Sequence, residues 1–304
     1  MVRGAVNLKK RKLRNSSSDN AFDVVNTIFL IVFSLAILYP IIVVVSSSFS
    51  NPNALMAGKV LLLPIKPTLD GYRAVMYHPD IWMGLRNSLF YTVVGTIVNL
   101  VVTILAAYPL SRKDFTSRGW ISLFFAFTMW FSGGLIPSFL LIKNMGLYNN
   151  PAVMILPLAM NVWNMIIVRT YFQSNISDDL LEVAKLDGCS DIKFLTQIAI
   201  PLSKPVIAVV ALYYAVANWN VYAHAYIYLN SQEYQPIQVV LRDILLLNTT
   251  QEISVDVTKM AKSEQLSELL KYSLVVVASI PMVLIYPFVQ KYFVKGIMVG
   301  SVKG

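Results

Sequence analysis

The amino-acid sequence predicts an all-α, polytopic membrane protein with six transmembrane helices. The chain has 304 residues, of which 56% are hydrophobic and only 13% are charged, whereas soluble domains carry about 25% charged residues. A helix needs about 20 mostly apolar residues to cross hydrocarbon. Six runs approach or exceed that length without Asp, Glu, Lys or Arg in their interiors, namely residues 24–48, 87–111, 120–142, 151–168, 206–229 and 272–290.

The distribution of lysine and arginine predicts the orientation in the membrane, because cytoplasmic connections are enriched in both. Basic residues are concentrated in residues 3–14, 112–118, 185–204 and 291–303, and they are sparser in the longer alternate connections. We therefore expect both termini in the cytoplasm, with a tail at 1–23, a membrane domain at 24–290 and a second tail at 291–304. This orientation explains the net charge of +9, so no nucleic-acid partner is predicted.

The first span follows a basic segment, as a secretory signal would. Its apolar run is longer than the roughly 7 to 15 residues of a signal core, and no clear small-residue cleavage site follows it. We interpret it as a retained membrane anchor. The single cysteine, Cys189, excludes an internal disulfide.

Residues 177–201 form a polar island between apolar runs and predict two short helices joined by a glycine. Ser177 is a typical N-cap residue, and Asp178 and Asp179 in the first turn would complement the helix dipole. Gly188 suits the left-handed position that ends a helix. Ser190 or Asp191 would cap the second helix. Its apolar face is predicted to consist of Ile192, Leu195 and Ile198, until Pro201 and Pro205 interrupt it.

A family resemblance follows from this island and from three further segments. Glu182-Val183-Ala184, Gly188 and Ile198-Ala199-Ile200-Pro201 resemble the "EAA" loop of bacterial ABC-importer permeases. The segments FYTVVGTIVNLVVTILAAYPLSRKDF (90–115), FSGGLIPSFLLIKNMGL (131–147) and YPFVQKYFVKGIMVGSVKG (286–304) resemble the carbohydrate-importer branch, and within it the lipo-oligosaccharide and polysaccharide permeases. Val183 and Ile200 depart mildly from the usual pattern.

The resemblance implies a type I ABC importer permease fold in a bacterial cell membrane. It implies these partners: a homologous permease in a heterodimer, two ABC ATPase subunits, an extracytoplasmic solute-binding protein, membrane lipid and an oligosaccharide substrate. The 177–201 loop would be the coupling segment that contacts an ATPase, through Glu182, Ala184, Asp187, Gly188, Ile198 and Pro201. The tail residues Gly300, Lys303 and Gly304 would reach the ATPase interface, and a frayed terminus is the alternative.

Amide and aromatic side chains in the fourth and fifth spans suit a polyhydroxylated ligand, because amides hydrogen-bond hydroxyl groups and rings pack on sugar C–H faces. The alternative is hydrogen bonding between helices together with an aromatic belt. For Asn99 and Thr103 in the second span, helix packing is the preferred interpretation. The candidate pathway residues are Asn161, Asn164, Tyr214, Asn218, Asn220 and Tyr222.

The energy source is inferred from motifs that the sequence lacks. It has no Gly-x-x-x-x-Gly-Lys-Ser/Thr loop, so ATP and Mg²⁺ would be bound by a partner, and no cofactor, metal or catalytic residue is predicted in this chain. No charged residue lies inside a span, which disfavours a proton-coupled carrier. The alternatives are a stand-alone secondary transporter or facilitator, and an ABC permease for a non-sugar solute.

Two local features are also predicted. The segment Ser132-Gly133-Gly134, followed by Pro137, should break the third span, and the freed backbone groups would then need protein or a watery cavity. In the outer connection, residues 236–247 should form an amphipathic helix with Pro236 at its first turn. This helix would be a candidate contact for a substrate-delivering protein.

Overall fold

A computed structural model describes residues 17–247, 265–285 and 287 of the chain. Within these residues the protein is helical and contains no β-strand. We number the helices in chain order: α1 Ser17–Ser48, α2 Pro52–Met56, α3 Asp70–Tyr77, α4 Pro79–Ser111, α5 Arg118–Trp130, α6 Leu135–Asn144, α7 Val162–Asn175, α8 Asp178–Leu186, α9 Asp191–Leu202, α10 Lys204–Trp219, α11 Ala223–Tyr228, α12 Ile237–Leu247 and α13 Gln265–Ile285. Short 3₁₀ turns lie at Pro151–Met154 and Gln232–Tyr234.

Three helices of the described residues are long and apolar enough to cross a membrane without a break. They are α1, α4 and α13, and they correspond to the first, second and sixth predicted spans. Two further spans are counted if each bent helix pair is one crossing, so the described part supports three to five spans. The exact number of six is therefore not confirmed.

The predicted break in the third span is confirmed. Helix α5 ends at Trp130, α6 begins at Leu135, and the two axes differ by 115°. Gly134 adopts φ +83° between them, a backbone conformation that glycine adopts without a steric penalty. Residues 118–144 are thus a sharply bent pair, where the sequence suggested one crossing at 120–142.

The fourth and fifth predicted spans are not single helices. Residues 151–168 contain a 3₁₀ turn, an irregular stretch around Pro157 and only the first half of α7. Residues 206–229 are divided into α10 and α11 by a break after Trp219. Apolar composition cannot reveal these breaks, because periodicity does not separate one long helix from two shorter apolar ones.

Helix α4 is the central element, because it packs against α7, α10 and α12. Toward its C-terminal end, Ile104, Ala107 and Leu110 belong to a buried cluster with Val168 and Phe172 of α7. The same cluster includes side chains of α8, α9 and α10. Packing of one shared core therefore fixes the helices around residues 177–201 relative to α4.

The N-terminal end of α4 holds the outer connection. Asn87 donates from Nδ2 to the carbonyl oxygens of Glu233 (2.7 Å) and Gln235 (3.1 Å). The hydroxyl of Ser88 accepts a hydrogen bond from the backbone nitrogen of Ile237 at 2.8 Å. Helix α12 begins at this contact, so the helix predicted at 236–247 is confirmed. Its apolar residues Ile237, Val240 and Ile244 are buried against this chain's own α3, α4 and α13.

Helix α1 is mostly exposed with respect to the other described residues. Residues 21–42 are exposed, and burial begins only near its C-terminal end, where Ser46, Ser47 and Ser48 are buried. Ser46 donates a hydrogen bond to the carbonyl oxygen of Leu62 at 2.7 Å, and the hydroxyls of Ser48 and Tyr72 lie 2.8 Å apart. The helix is thus anchored at one end only.

We predict that Gly84→Val destabilises the protein. A Cβ atom on Gly84 would lie 3.1 Å from Ile237 Cα in the backbone of α12, so a branched side chain must separate α4 from α12. Overpacking of this kind costs about 1–3 kcal/mol. Thermal unfolding of the detergent-purified chain measures the effect. Gly119→Val is the matched control, because a Cβ atom on Gly119 would have no other atom within 4 Å; equal melting temperatures for the two variants would contradict the prediction.

Candidate coupling elbow and polar helix contacts

Residues 177–201, here called the elbow, contain the predicted helix, glycine and helix. The Ser177 side chain caps α8 by accepting a hydrogen bond from the Leu180 nitrogen at 3.3 Å. Ser190 caps α9 in the same way through the Lys193 nitrogen, also at 3.3 Å. The sequence left Ser190 and Asp191 as alternative caps, and the structure selects Ser190. Both predicted helix starts are confirmed.

Gly188 forms the turn between the two helices. It adopts φ +74°, in the left-handed region where a side chain with a branched β-carbon is strained. The nitrogens of Gly188 and Cys189 donate to the carbonyls of Lys185 and Ala184, at 3.0 and 2.9 Å. These bonds satisfy carbonyl groups at the end of α8. Gly188 therefore sets the direction in which the chain leaves α8.

Helix α9 differs from the prediction in two respects. Ile192 is 77% exposed while Leu195 is 7% exposed, so they do not share one buried face. Pro201 does not interrupt the helix. Instead, residues 195–199 form a π-helical turn in which the Ile200 nitrogen bonds to the Leu195 carbonyl, and the chain bends by 84° only at Ser203. A wider turn of this type accommodates the missing N–H group of a following proline.

The elbow is attached to the helix bundle by apolar packing. Leu181 and Ala184 of α8 and Phe194 and Leu195 of α9 are buried in the same cluster as α4 and α7. Phe194 is fully buried, and its ring centroid lies 6.4 Å from that of Tyr108 in α4. Because protein interiors are close-packed, a displacement of the elbow is transmitted to these neighbours.

Two ion pairs also connect the elbow to the segment after α4. Lys113 lies 2.8 Å from Asp178, and Lys185 lies 3.0 Å from Asp114 and 3.8 Å from Asp191. The hydrogen bond from Lys185 lowers the pKa of Asp114, and the same bond raises the pKa of Lys185. Because the pKa of Asp114 is lowered, the pair is present at neutral pH and is lost as the pH falls through that lowered value. Neither pair is apparent from the sequence, since charge pairing across 65 or more residues has no local signal.

The outward surface of the elbow is mixed. Of the predicted coupling residues, Glu182, Asp187, Gly188 and Pro201 are exposed, Ile198 is half-buried and Ala184 is buried. Large apolar side chains are also exposed there: Leu186 is 87% exposed, Val183 57% and Ile192 77%. Apolar groups that form one contiguous exposed patch mark contact sites for other molecules.

The tail residues Gly300, Lys303 and Gly304 lie outside the described part of the chain. Their predicted contact with an ATPase stays a prediction.

A second polar group lies between α4 and α10. Asn218 is buried and donates from Nδ2 to Asn99 Oδ1 at 2.9 Å and to Thr96 Oγ1 at 3.4 Å. Asn99 in turn donates to the carbonyl oxygen of Leu158. A Cβ on Gly95 would lie 2.9 Å from Asn218 Nδ2, so a larger residue there would require the Asn218 amide to shift. The predicted packing role of Asn99 is confirmed, and Asn218 bonds between helices.

Tyr214 is the centre of a third contact. Its hydroxyl lies 2.6 Å from the Thr103 hydroxyl and accepts a hydrogen bond from the Asn161 nitrogen at 3.0 Å. The Asn161 side chain caps α7 by accepting from the Asn164 nitrogen at 3.1 Å. The structure thus brings Tyr214, Asn161 and Asn164 together where α4, α7 and α10 meet.

The other two pathway candidates lie in the break between α10 and α11. Asn220 is exposed, and its side chain donates to the Val216 carbonyl at 2.9 Å. Tyr222 is half-buried and stacks on Tyr226 with a centroid distance of 5.8 Å. The nearby His224 lies 2.9 Å from the carbonyl oxygen of Val153. No group of three or more His, Cys, Asp or Glu side chains among the described residues could hold a metal ion.

The described part, with three helices long and apolar enough to cross a membrane, is that of a membrane-embedded protein. The chain belongs to the family of binding-protein-dependent transport system inner membrane components, whose sequence profile matches residues 81–299. The resemblance derived from the elbow sequence is thereby confirmed. Members of this family are transport permeases and not enzymes.

Individual relatives match almost the whole chain. It is 41% identical over 284 residues to the polygalacturonan/rhamnogalacturonan transport system permease protein YtcP of Bacillus subtilis, covering 93% of this chain and 98% of the relative. It is 38% identical to protein LplC of the same organism, covering 96% and 98%. A chain in the crystal structure of a bacterial ABC transporter involved in the import of the acidic polysaccharide alginate has 35% identity and a TM-score of 0.84, covering 92% of this chain and 99% of that one.

We predict that Asn99 and Asn218 stabilise the bundle as a pair. In a double-mutant cycle with Asn99→Ala and Asn218→Ala, the coupling free energy should be about 0.6 kcal/mol and at most about 1.7, the range measured for such bonds in membranes. Unfolding in mixed detergent and dodecyl sulfate micelles provides the free energies. Asn220→Ala is the control, because its amide bonds within α10; its effect should add to that of Asn99→Ala within about 0.5 kcal/mol. Additivity of the Asn99 and Asn218 substitutions would disprove the pairing.

Proposed function

We propose that this protein is one permease subunit of an ATP-driven importer for oligosaccharides or sugar derivatives, and that the elbow transmits the force of an ATPase to the membrane helices. The observation that carries the proposal is the two-sided character of the elbow. One side is packed into the core with α4 and α7, and the other side exposes Leu186 and Val183 next to Glu182. A partner that binds the exposed side would move the core through the buried side.

The exposed apolar side chains favour a protein partner. Complete burial of one leucine side chain contributes about 1.5–3 kcal/mol, and a surface that is mostly water-exposed in the isolated chain gains this energy only in a complex. Glu182 would add a charge for a basic residue of the ATPase. The ion pairs at Lys113 and Lys185 lie on the same side of the bundle, as cytoplasmic loops rich in lysine would. This supports an orientation with both termini in the cytoplasm.

A homologous permease is proposed as the second partner. The exposed face of α1 spans residues 21–42, and no other described helix of this chain covers it. A heterodimer in which each subunit contributes half of the pathway would give this helix a protein neighbour. An extracytoplasmic binding protein would deliver the substrate to the opposite side of the membrane.

The sugar cargo is supported by the names of the relatives. They include transport system permeases for polygalacturonan/rhamnogalacturonan, arabinooligosaccharides and trehalose/maltose. The similar solved structure is of a transporter involved in the import of alginate. Among the candidate pathway residues, Asn220 is exposed and Tyr222 is partly accessible, whereas Asn218 and Tyr214 are buried in contacts between helices. We therefore propose Asn220 and Tyr222 as the first positions to test for sugar contact.

Co-purification from the native membrane tests the class of transporter. The tagged chain in mild detergent should retain a second permease and a Walker-motif ATPase, identified by mass spectrometry, and the sample should hydrolyse ATP. Recovery of this chain alone, together with gradient-driven flux in liposomes, would replace the proposal with a stand-alone transporter. Dependence of hydrolysis on a peptide or an ion, and not on an oligosaccharide, would replace the sugar cargo.

We predict that Leu186→Asp disconnects the ATPase. The substitution places a charge in the apolar patch, so ATPase retention should fall about tenfold or more, as the loss of one buried leucine implies. The melting temperature of the isolated chain should not change, because this side chain is 87% exposed. Thr116→Asp, at an exposed position outside the elbow, is the control for one added negative charge. Unchanged ATPase retention in Leu186→Asp would exclude this surface as the contact.

We predict that uptake requires the direction in which Gly188 turns the chain out of α8, as well as the exposed surface of the elbow. Gly188→Val forces a branched residue into φ +74°, which costs about 1–3 kcal/mol, and should abolish uptake while membrane insertion is retained. Gly188→Asn is the matched control, since asparagine tolerates the left-handed conformation. Uptake that is equally impaired by both substitutions, or by neither, would contradict this role of Gly188.

A further inference from the structure

A large cavity lies at the N-terminal end of the elbow. Its volume is about 740 Å³, and it is bounded by the end of α4, the start of α5, the end of α7 and the first residues of α8. Its charged lining is Arg112, Lys113, Arg118, Arg169, Asp178 and Asp179. Cations exceed carboxylates, and Asp178 already pairs with Lys113 at 2.8 Å. The cavity therefore has a net positive lining.

Arg112 is the unusual member of this lining. Its residue surface is 5% exposed, and it forms no ion pair with a carboxylate of the described residues. Its Nε donates to Ser111 Oγ at 3.1 Å and its Nη2 to the Phe172 carbonyl at 3.4 Å, while Nη1 is buried without a hydrogen-bond partner. Buried charges are normally paired, and an unpaired one is costly. The guanidinium carbon lies 5.4 Å from the centroid of the Tyr108 ring, but this contact gives Nη1 no hydrogen-bond acceptor.

The arginines around the cavity are held in place by backbone bonds. Arg169 donates from Nε to the Leu110 carbonyl at 3.0 Å, and Arg118 donates from Nη1 to the Arg112 carbonyl at 3.0 Å. Fixed guanidinium groups match the oxygens of a phosphate with two parallel hydrogen bonds. Flexible surface lysines would provide charge without this geometry.

We propose that the cavity binds a phosphate-bearing anion, with Arg112, Arg118 and Arg169 as its cationic contacts. The surroundings favour the headgroup of an anionic phospholipid. Trp120 of α5 is 78% exposed one position after Gly119 of the cavity wall, and the following α5 residues Leu123 and Phe124 are exposed and apolar. Tryptophan next to arginine is typical of the membrane interface. Inorganic phosphate has the same chemistry and is the second source to test.

The position of the cavity connects its occupancy to the elbow. Ser177, the cap of α8, and Asp178, the partner of Lys113, both line it. A bound phosphate would attract Lys113 and repel Asp178, and would thereby change how the N-terminal end of α8 is held. Coupling of the elbow to the bundle would then depend on the anionic lipid of the inner leaflet. This last consequence rests on the proposed function, whereas anion binding itself does not.

The test compares lipid binding by the purified, membrane-reconstituted protein and its variants. Nanodiscs of phosphatidylcholine alone, phosphatidylcholine with phosphatidylglycerol, and phosphatidylcholine with added inorganic phosphate are used as three conditions. Melting temperature and native mass spectrometry of retained phosphatidylglycerol are the two measurements, and neither depends on transport. The variants are Arg169→Gln and Arg118→Gln, which lie at the cavity wall, and Arg112→Gln. Lys193→Gln, an exposed charge change on α9 outside the cavity, is the matched control.

We expect phosphatidylglycerol to raise the melting temperature of the parent and of Lys193→Gln. Each arginine variant should bind phosphatidylglycerol about tenfold more weakly, the loss that one charge-assisted hydrogen bond implies. If Arg112→Gln does not fold, the other two variants decide the result. If inorganic phosphate raises the melting temperature of the parent as much as phosphatidylglycerol does, the site is assigned to free phosphate. That result would support the same anion chemistry. Equal phosphatidylglycerol retention by the parent and the cavity variants, or no response to either anion, would overturn the proposal, while failure to recover an ATPase would affect only the proposed function.

Discussion

The fold depends on how polar groups are satisfied around α4. In hydrocarbon no water is available for an unpaired amide or hydroxyl, so hydrogen bonds to protein partners matter most there. On α4 only the Thr92 and Tyr108 hydroxyls are buried without such a partner among the described residues. Along α4 these partners come in succession: Asn87 holds the outer connection, Asn99 holds α10 through Asn218, and Thr103 holds Tyr214. On the same helix, Gly84 and Gly95 permit the close approach of α12 and α10, respectively. One helix thus organises the outer connection, the middle of the bundle and the elbow.

Several independent features hold the elbow in one conformation. Serine caps start both of its helices, Gly188 fixes the turn, and buried side chains such as Phe194 attach it to α4 and α7. The exposed ion pairs contribute little to stability, since such pairs are worth at most about 1 kcal/mol. Their value is geometric: Lys113 and Lys185 tie the first turn and the last turn of α8 to the same short segment. The exposed apolar residues are therefore presented on a fixed support.

Local signals in the sequence predicted the elbow well. Capping residues, a C-terminal glycine and the basic loops act within a few residues of where they lie, so both helix starts and the turn at Gly188 were predictable. The break at 131–134 and the helix after Pro236 were predictable for the same reason. Predictions that depend on tertiary packing were wrong. Ile192 is exposed, Pro201 lies inside a helix just after a π-helical turn, and residues 151–168 do not form one helix. The ion pairs at Asp114 and Asp178 and the hydrogen bond from Arg112 to the Phe172 carbonyl join residues far apart in the sequence. No single-sequence pattern reveals such contacts.

Because α1 is attached at one end only, packing of the bundle and assembly with another chain are separate steps. Residues 21–42 are exposed with respect to the other described residues, so the packing of the described bundle does not depend on whether α1 has found a neighbour. Binding of the proposed second permease to this helix would then require no rearrangement of the core, and an unassembled copy would differ from an assembled one chiefly in a bare, lipid-facing helix. A membrane quality-control protease that recognises such a helix would remove orphan subunits and leave complete transporters untouched.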